Sequence, residues 1–284
     1  MNPRHRKTAS LTLGFLTLGA HAAPLDTLDA AALAGYGAAG LRVSGRFPGD
    51  AWPSVEDDRS AFERIRAAAA GKGVRISSIS GYYLSPQVEA AHLIANVEAA
   101  RAVGAAMILQ GCFEADHARV ASLLRVYASA AADAGIRIAL EFMPMSELKT
   151  IAEAQAVIAA SGAANVGLLI DTLHLARSGA TADDVAALDP ATVYLTQLSD
   201  APSKLATGST LFDEAMSGRR HLGEGGLDLA SVVNALPADA ELELETPVVA
   251  QAALPPAARA RHAAEAAQRF FDLHFSNATD DKGP

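Results

Sequence analysis

Short apolar runs alternate with longer amphipathic stretches along the whole chain. The runs read as buried strands and the stretches as helices. The first run, Thr8–Leu18, alternates and is rich in Thr and Leu. A helix is expected over Pro24–Gly37, opened by proline and closed by glycine. Further strands are expected at Gly40–Val43, Val74–Ser80, Ala106–Leu109 with Gln110, Arg137–Phe142, Val166–Ile170, Val193–Leu198 and Leu242–Glu245. Between them helices are expected from about Val55 to Ala70, and at Gln87–Val103, Ala115–Ala134, Ile151–Ala160, Thr181–Ala187 and Leu227–Leu236, with Ala257–Phe275 closing the chain. Strand followed by helix, eight times over with short connections, implies a parallel sheet covered by helices. Eight such units fit a closed (β/α)8 TIM barrel, an α/β fold, better than an open sheet. The barrel is expected to span residues 8–277 as one domain, with 1–7 and 278–284 as tails. One connection breaks the pattern: Ser199–Gly226 is long, and loops of that length in a compact domain are usually functional.

Composition changes the picture in two places. The formal charge is −9, and no basic cluster occurs beyond the first seven residues, which argues against nucleic acid or an anionic membrane as partner. Cys112, the one cysteine, excludes an internal disulfide and fits a reducing, cytoplasmic compartment. The N-terminus is ambiguous. Arg4, Arg6 and Lys7 precede Leu11–Leu18, and Ala20-His21-Ala22 follows, which is the layout of a secretory signal. The strand reading is preferred because removal of this run leaves the barrel one strand short.

Candidate chemistry gathers at strand ends. Side chains alternate along a strand, and the active site of such a barrel lies at the C-terminal ends of its strands. Glu141, Asp171, Gln197 and Glu245 end the fifth to eighth strands with inward parity. Three carboxylates converging in a low-dielectric mouth repel one another strongly. A divalent cation held by three anionic oxygens and an amide oxygen resolves this, and an all-oxygen set suits Mn²⁺ or Mg²⁺ ahead of Zn²⁺ or Co²⁺. The blander reading of Asp171 is a helix N-cap. Glu243 shares the parity of Glu245 and is read as a structural acid deeper in the barrel, partnered by Arg42 or Arg137. Asp200 either caps the long loop or orients a ligand. His221 is a weaker candidate for ligand contact. Trp52, Tyr82 and Tyr83 are read first as core or helix-packing residues.

The segments IALEFMP, NVGLLIDTLHLARSG, YLTQLSDAP and GEGGLDL, in this order, resemble the xylose isomerase-like TIM-barrel family of sugar isomerases and epimerases. Within it the layout looks most like inosose isomerases and other sugar phosphate isomerase/epimerase proteins. The resemblance places the metal ligands on Glu141, Asp171, Gln197 and Glu245, with Gln197 where many members carry His. Substrate-holding roles fall on His174 and on Arg219, with Arg220 adjacent and Leu222 replacing the family's proline. It implies one divalent ion, and a metal-stabilised enediolate formed from a keto-sugar or keto-polyol. Glu141 and Glu245 then act as catalytic base and acid. The partner is a small polyhydroxy carbonyl compound, and association into a homo-oligomer is left open. Two alternatives stand beside this: a metal-dependent dehydratase or lyase like the dehydroshikimate dehydratases, and a non-catalytic sugar-binding relative. An abasic-site endonuclease of the same superfamily is disfavoured by the charge and by histidines that do not cluster at strand ends.

Overall fold

A computed structural model of the chain describes residues 7–50 and 58–275. Eight strands form a closed parallel barrel in sequence order. They are β1 Thr12–Gly14, β2 Ala38–Arg42, β3 Arg75–Ser80, β4 Met107–Gln110, β5 Arg137–Glu141, β6 Val166–Asp171, β7 Val193–Leu198 and β8 Glu241–Leu244. The seam closes where Thr12 pairs with Glu243 and Leu13 with Leu244. The helices are α1 Pro24–Ala34, α2 Arg59–Lys72, α3 Ala90–Val103, α4 His117–Asp133, α5 Ile151–Ser161, α6 Thr172–Ser178, α7 Ala182–Ala186, the single turn α8 Leu211–Asp213, α9 Leu229–Ala235 and α10 Pro256–Phe275. The closed (β/α)8 barrel expected from the strand–helix alternation is what forms.

Local signals account for most boundaries. In α5, the Thr150 side chain accepts from the Glu153 amide while Glu153 reaches back to the Thr150 N–H. Gly162 then ends the helix at φ +67°, a left-handed conformation that a side chain resists. The apolar faces of α1–α5 and α10 pack on the outward side chains of the strands in one continuous core that includes Leu41, Ile79, Ile138, Leu168 and Phe271.

Three differences from the sequence reading have physical causes. The first strand is only three residues long, and turns of 3-10 helix at Thr8–Ser10 and Phe15–Leu18 flank it. Gly14 passes close to the interior acid Glu243, whose Oε1 lies 2.8 Å from where a Cβ there would sit, so that position has no room for a side chain. Helix α6 is absent from the expected elements although the N-cap reading of Asp171 implies it: it begins directly at the end of β6 because the Asp171 carboxylate caps it. The second helix begins at Arg59, capped by Asp58; the expected start at Val55, and Trp52, lie outside the described residues.

The barrel interior is divided. Met107, Leu109, Ala139, Leu169 and Leu195, from β4 to β7, form a small apolar plug. From β8 round to β3 the lining is polar or small. There the Glu241 carboxylate accepts from Thr12, Ser77 and Arg75 at the bottom, while Gly14 and Gly40 leave room for Glu243 above it.

Candidate active site

The C-terminal mouth opens into a cavity whose lining includes Glu141, His174, Gln197, Arg219 and Glu245. Asp171, at the end of β6, is fully buried just beneath. One of its carboxylate oxygens, Oδ1, accepts from the Leu173 and His174 amides at 2.8 and 3.0 Å and so caps α6. The other, Oδ2, accepts from Arg219 at 2.6 Å. Capping and site roles therefore coexist in one carboxylate. Burial pushes its pKa up, but Arg219, His174 and the amide donors outweigh that and hold it below the usual range.

Arg219 is 3 % exposed and is the organising cation. Its guanidinium also donates to Ser199 at 2.9 Å and lies 3.2 Å from Glu245 Oε2, while its Nε donates to the Ala215 carbonyl at 2.9 Å. Arg220 is exposed and donates to the Glu224 carbonyl, away from the cavity. The antiparallel bridge between Asp200 and Arg220 decides which of the two arginines enters.

Glu141 and His174 face each other, with Nε2 3.7 Å from Oε1. They are not a charged pair at neutral pH. Burial lowers His174 to about 4. Burial, then repulsion from Asp171 and Glu245, raises Glu141 well above the carboxylate range. Glu245 is raised to about 7, mainly by burial and against the pull of Arg219.

Gln197 aims its amide nitrogen at two acids, Glu243 Oε1 at 2.7 Å and Glu245 Oε1 at 3.2 Å. Glu243 thus has Gln197 and the Ser78 hydroxyl (3.5 Å) as partners. Arg42 instead donates to the Ser44 and Ala20 carbonyls, and Arg137 stacks on Tyr194. The expected partners of Glu243 are corrected accordingly: a neutral amide does not compensate a buried charge, so burial and Glu245 raise Glu243 to about 8. The sign of the consequence is fixed. In chelator, the stability that protonated Glu243 contributes is present below its unfolded pKa near 4.5 and is lost as pH rises through about 8. Glu243→Gln should match the parent in acid and exceed it above pH 8 by about 1–3 kcal/mol, read by denaturant melts across pH. Parallel curves for the two proteins would contradict the assignment.

The long loop is built round Asp200. Its carboxylate accepts from the amides of Ala201, Gly223, Gly225 and Leu227 at 2.8–3.1 Å. That makes it a loop cap, and the GEGG turn is folded to meet it. Gly225 approaches so closely that a Cβ there would collide with the carboxylate. His221 is pinned between Thr246 and Gln251, outside the cavity. Asp200→Ala should unfasten the segment that delivers Arg219, costing about 1–3 kcal/mol for the four amide bonds lost, one of them buried and three part-buried, and most of the activity. Thermal denaturation and loop-specific hydrogen exchange check this.

A divalent ion fits the donor chemistry. Glu141, Asp171 and His174 each offer a ligand atom, all within 4.8 Å of one another. Among the described residues one guanidinium touches these carboxylates, and burial, with repulsion between the acids added to it, makes two of them resist ionisation. The geometry adds His174 as a nitrogen donor to the group. Glu245 lies against both Arg219 and Asp171, and the amide nitrogen of Gln197 is turned to Glu243 and Glu245. Tyr83, read from the sequence as packing, lines the cavity, as do Arg46, Phe113, Met143 and Met216. Positions shortly after strand ends could have flagged Tyr83, Arg46, Phe113 and Met143, and a place in the long loop could have flagged Met216.

A closed barrel with an acid-rich mouth at its C-terminal end defines an enzyme-like (β/α)8 scaffold. The family model described as "Xylose isomerase-like TIM barrel" matches residues 28–270, and the chain belongs to that family. Among solved structures, the IolI protein with a bound zinc atom superposes with TM-score 0.77 at 17% identity, covering 94% of this chain and 99% of that one. An L-ribulose 3-epimerase gives 0.71 at 19% identity, covering 97% and 100%. The probable 3-DHS dehydratase AsbF from Bacillus anthracis gives 0.70 at 15% identity, covering 90% and 97%. These identities establish shared fold alone. No curated protein sequence matches the chain.

Proposed function

We propose that this protein is a divalent-metal-dependent isomerase or epimerase that moves a proton beside the carbonyl of a keto-sugar or keto-polyol. One observation carries the reading: Glu141 and Glu245, two acids whose ionisation burial suppresses, flank the Asp171–Arg219 pair at the cavity floor. The residues proposed to hold the ion are Glu141, Asp171, Gln197 and Glu245, with His174 alongside. When bound, the ion supplies a Lewis acid for the substrate oxygens.

The chain's own groups do the rest. Glu245, raised to about 7, can both take and return a proton at working pH on one side of the reacting carbon, and Glu141, raised well above the carboxylate range by burial, can hold a proton for the other. Arg219 holds Asp171 ionised and presents a guanidinium toward substrate oxygens. His174, neutral at working pH, can exchange a hydrogen bond with a substrate hydroxyl without adding charge. The apolar walls of the cavity exclude water from the reacting carbon. Proton return to the neighbouring carbon gives an isomer, and return to the opposite face gives an epimer.

A dehydratase reading has one observation in its favour. Met143, Met145 and Phe113 beside Glu141 form an apolar wall that suits a flat, conjugated product. Incubating keto-sugars in heavy water with Mn²⁺ tests both. Deuterium entering the carbon next to the carbonyl, abolished by chelator, is the expected result. A rising near-ultraviolet absorbance marks dehydration instead. Exchange that persists in chelator, or no exchange on any substrate, sinks the proposal.

A further inference from the structure

The ends of β2, β3 and β4 face the acid cluster across the cavity and are chemically unlike it. Each is followed within three residues by a glycine-containing turn, Gly45-Arg46, Gly81-Tyr82-Tyr83 and Gly111-Cys112-Phe113, and among the described residues none of these connections brings an acid into the cavity. Glycine is needed here for space. A Cβ at Gly111 would lie 2.8 Å from the Tyr83 ring and 2.9 Å from Met143. The Phe47, Tyr83 and Phe113 rings pack mutually at 5.2–6.0 Å between centroids, and Tyr83 and Phe113 present their surface to the cavity.

Arg46 stands at the edge of this wall. Its position is fixed from behind, because the Asp50 carboxylate accepts the backbone N–H groups of both Arg46 and Phe47, at 2.7 and 3.2 Å. The guanidinium lies 5.9 Å from the centre of the Tyr83 ring, and one of its nitrogens reaches Met216 Sδ at 3.5 Å. A thioether is a weak acceptor, and no carboxylate among the described residues contacts this guanidinium as an ion pair, although its charge acts on Glu245 in the same cavity. A half-buried cation held against a ring and a sulfur lacks the oxyanion that guanidinium groups bind best.

We infer that the substrate carries, besides the reacting carbonyl, a carboxylate or phosphate that pairs with Arg46, and a flat, weakly polar face that lies on Tyr83 and Phe113. This rests on the proposed proton-transfer site and narrows its substrate class, from neutral open-chain polyols to anionic oxo compounds, ring-bearing ones foremost. An open-chain polyol would leave most of its hydroxyls unpaired against this wall, and each unpaired buried hydroxyl weakens binding.

The test is calorimetric, on the full chain with and without Mn²⁺, using probe pairs that differ in charge. The first pair is 3,4-dihydroxybenzoate against 3,4-dihydroxybenzamide; the second is ribulose 5-phosphate against ribulose. The expected result is a preference of about tenfold or more for the anion in at least one pair, the scale of a single charge-assisted contact. Arg46→Gln should erase that preference while leaving the neutral probe's affinity unchanged, and Arg46→Lys should restore part of it. The pair that shows the effect distinguishes carboxylate from phosphate. Equal affinity for anion and neutral partner in both pairs, no binding of either anion at millimolar concentration, or an equal loss for both probes in Arg46→Gln would overturn the inference. Failure here is separable from failure of the proton-transfer site. A protein that binds Mn²⁺ and exchanges deuterium but ignores probe charge overturns only the role of Arg46. A charge preference that depends on Arg46, in a protein that neither binds Mn²⁺ nor exchanges deuterium, overturns the reaction and leaves an anion pocket.

Discussion

Replacing Arg219 with methionine is expected to destabilise the metal-free protein by about 3–5 kcal/mol, the usual penalty for leaving a buried charge without its partner. Asp171 keeps its two amide donors but loses the guanidinium at 2.6 Å, and Glu245 loses its contact at 3.2 Å. The loss should be conditional. Adding Mn²⁺ returns counter-charge to the same carboxylates, so the variant should gain more stability from the ion than the parent does. Turnover should still fall by roughly a hundredfold or more, as when one preorganised donor to a reacting oxygen is removed. Arg219→Lys, which keeps charge without the fork, should recover stability better than rate. Thermal melts with and without Mn²⁺ measure the first effect and kcat/KM the second. If Mn²⁺ stabilised parent and variant equally, Arg219 and the ion would not be sharing the same acids.

The second large effect concerns the two glutamates. Glu141→Gln and Glu245→Gln keep shape while removing the titrating group, and each should slow proton transfer by about 10²–10⁴. They should differ in what survives. If the two act on opposite faces of the reacting carbon, one variant should still exchange substrate hydrogen with heavy water while failing to release product. The other should lose exchange altogether. Stability should move the other way: burial disfavours the ionised form of both acids, so a neutral amide at either position is expected to leave the metal-free fold as stable as before or slightly more so. Simultaneous measurement of exchange and turnover checks this. Two variants that retain parental rates would remove both residues from the chemistry.

Much of this was legible in the chain because the barrel repeats one simple rule. A short apolar run ending in an acid, as in Val166–Asp171, specifies both a buried strand and the end at which chemistry sits. The strand ends carrying Glu141, Asp171 and Gln197 could be placed by parity alone. Glu245 lies one residue beyond β8, yet its amide still donates to Leu198 and prolongs the ladder. What could not be read depends on contacts distant in sequence. Arg219 meets Asp171 across 48 positions, and its choice over Arg220 follows from a bridge to Asp200 that no local pattern announces. The partnership of Glu243 with Gln197 depends on how β7 and β8 are staggered, which parity within one strand does not reveal. Arg46 and Tyr83 carry no periodic signal at all, since loop residues after a strand are free of the alternation that marks inward and outward positions.

The barrel's acid cluster is held to be a divalent-metal centre, and metal content tests that most directly. Protein purified without chelator, or equilibrated with Mn²⁺, Mg²⁺, Zn²⁺ or Co²⁺ and then desalted, should retain one ion per chain by elemental analysis. Asp171→Asn, which can still cap α6 through its amide oxygen, should retain little or none. A parent protein that holds no ion under any of these conditions, or an Asp171→Asn protein that holds as much as the parent, would contradict it.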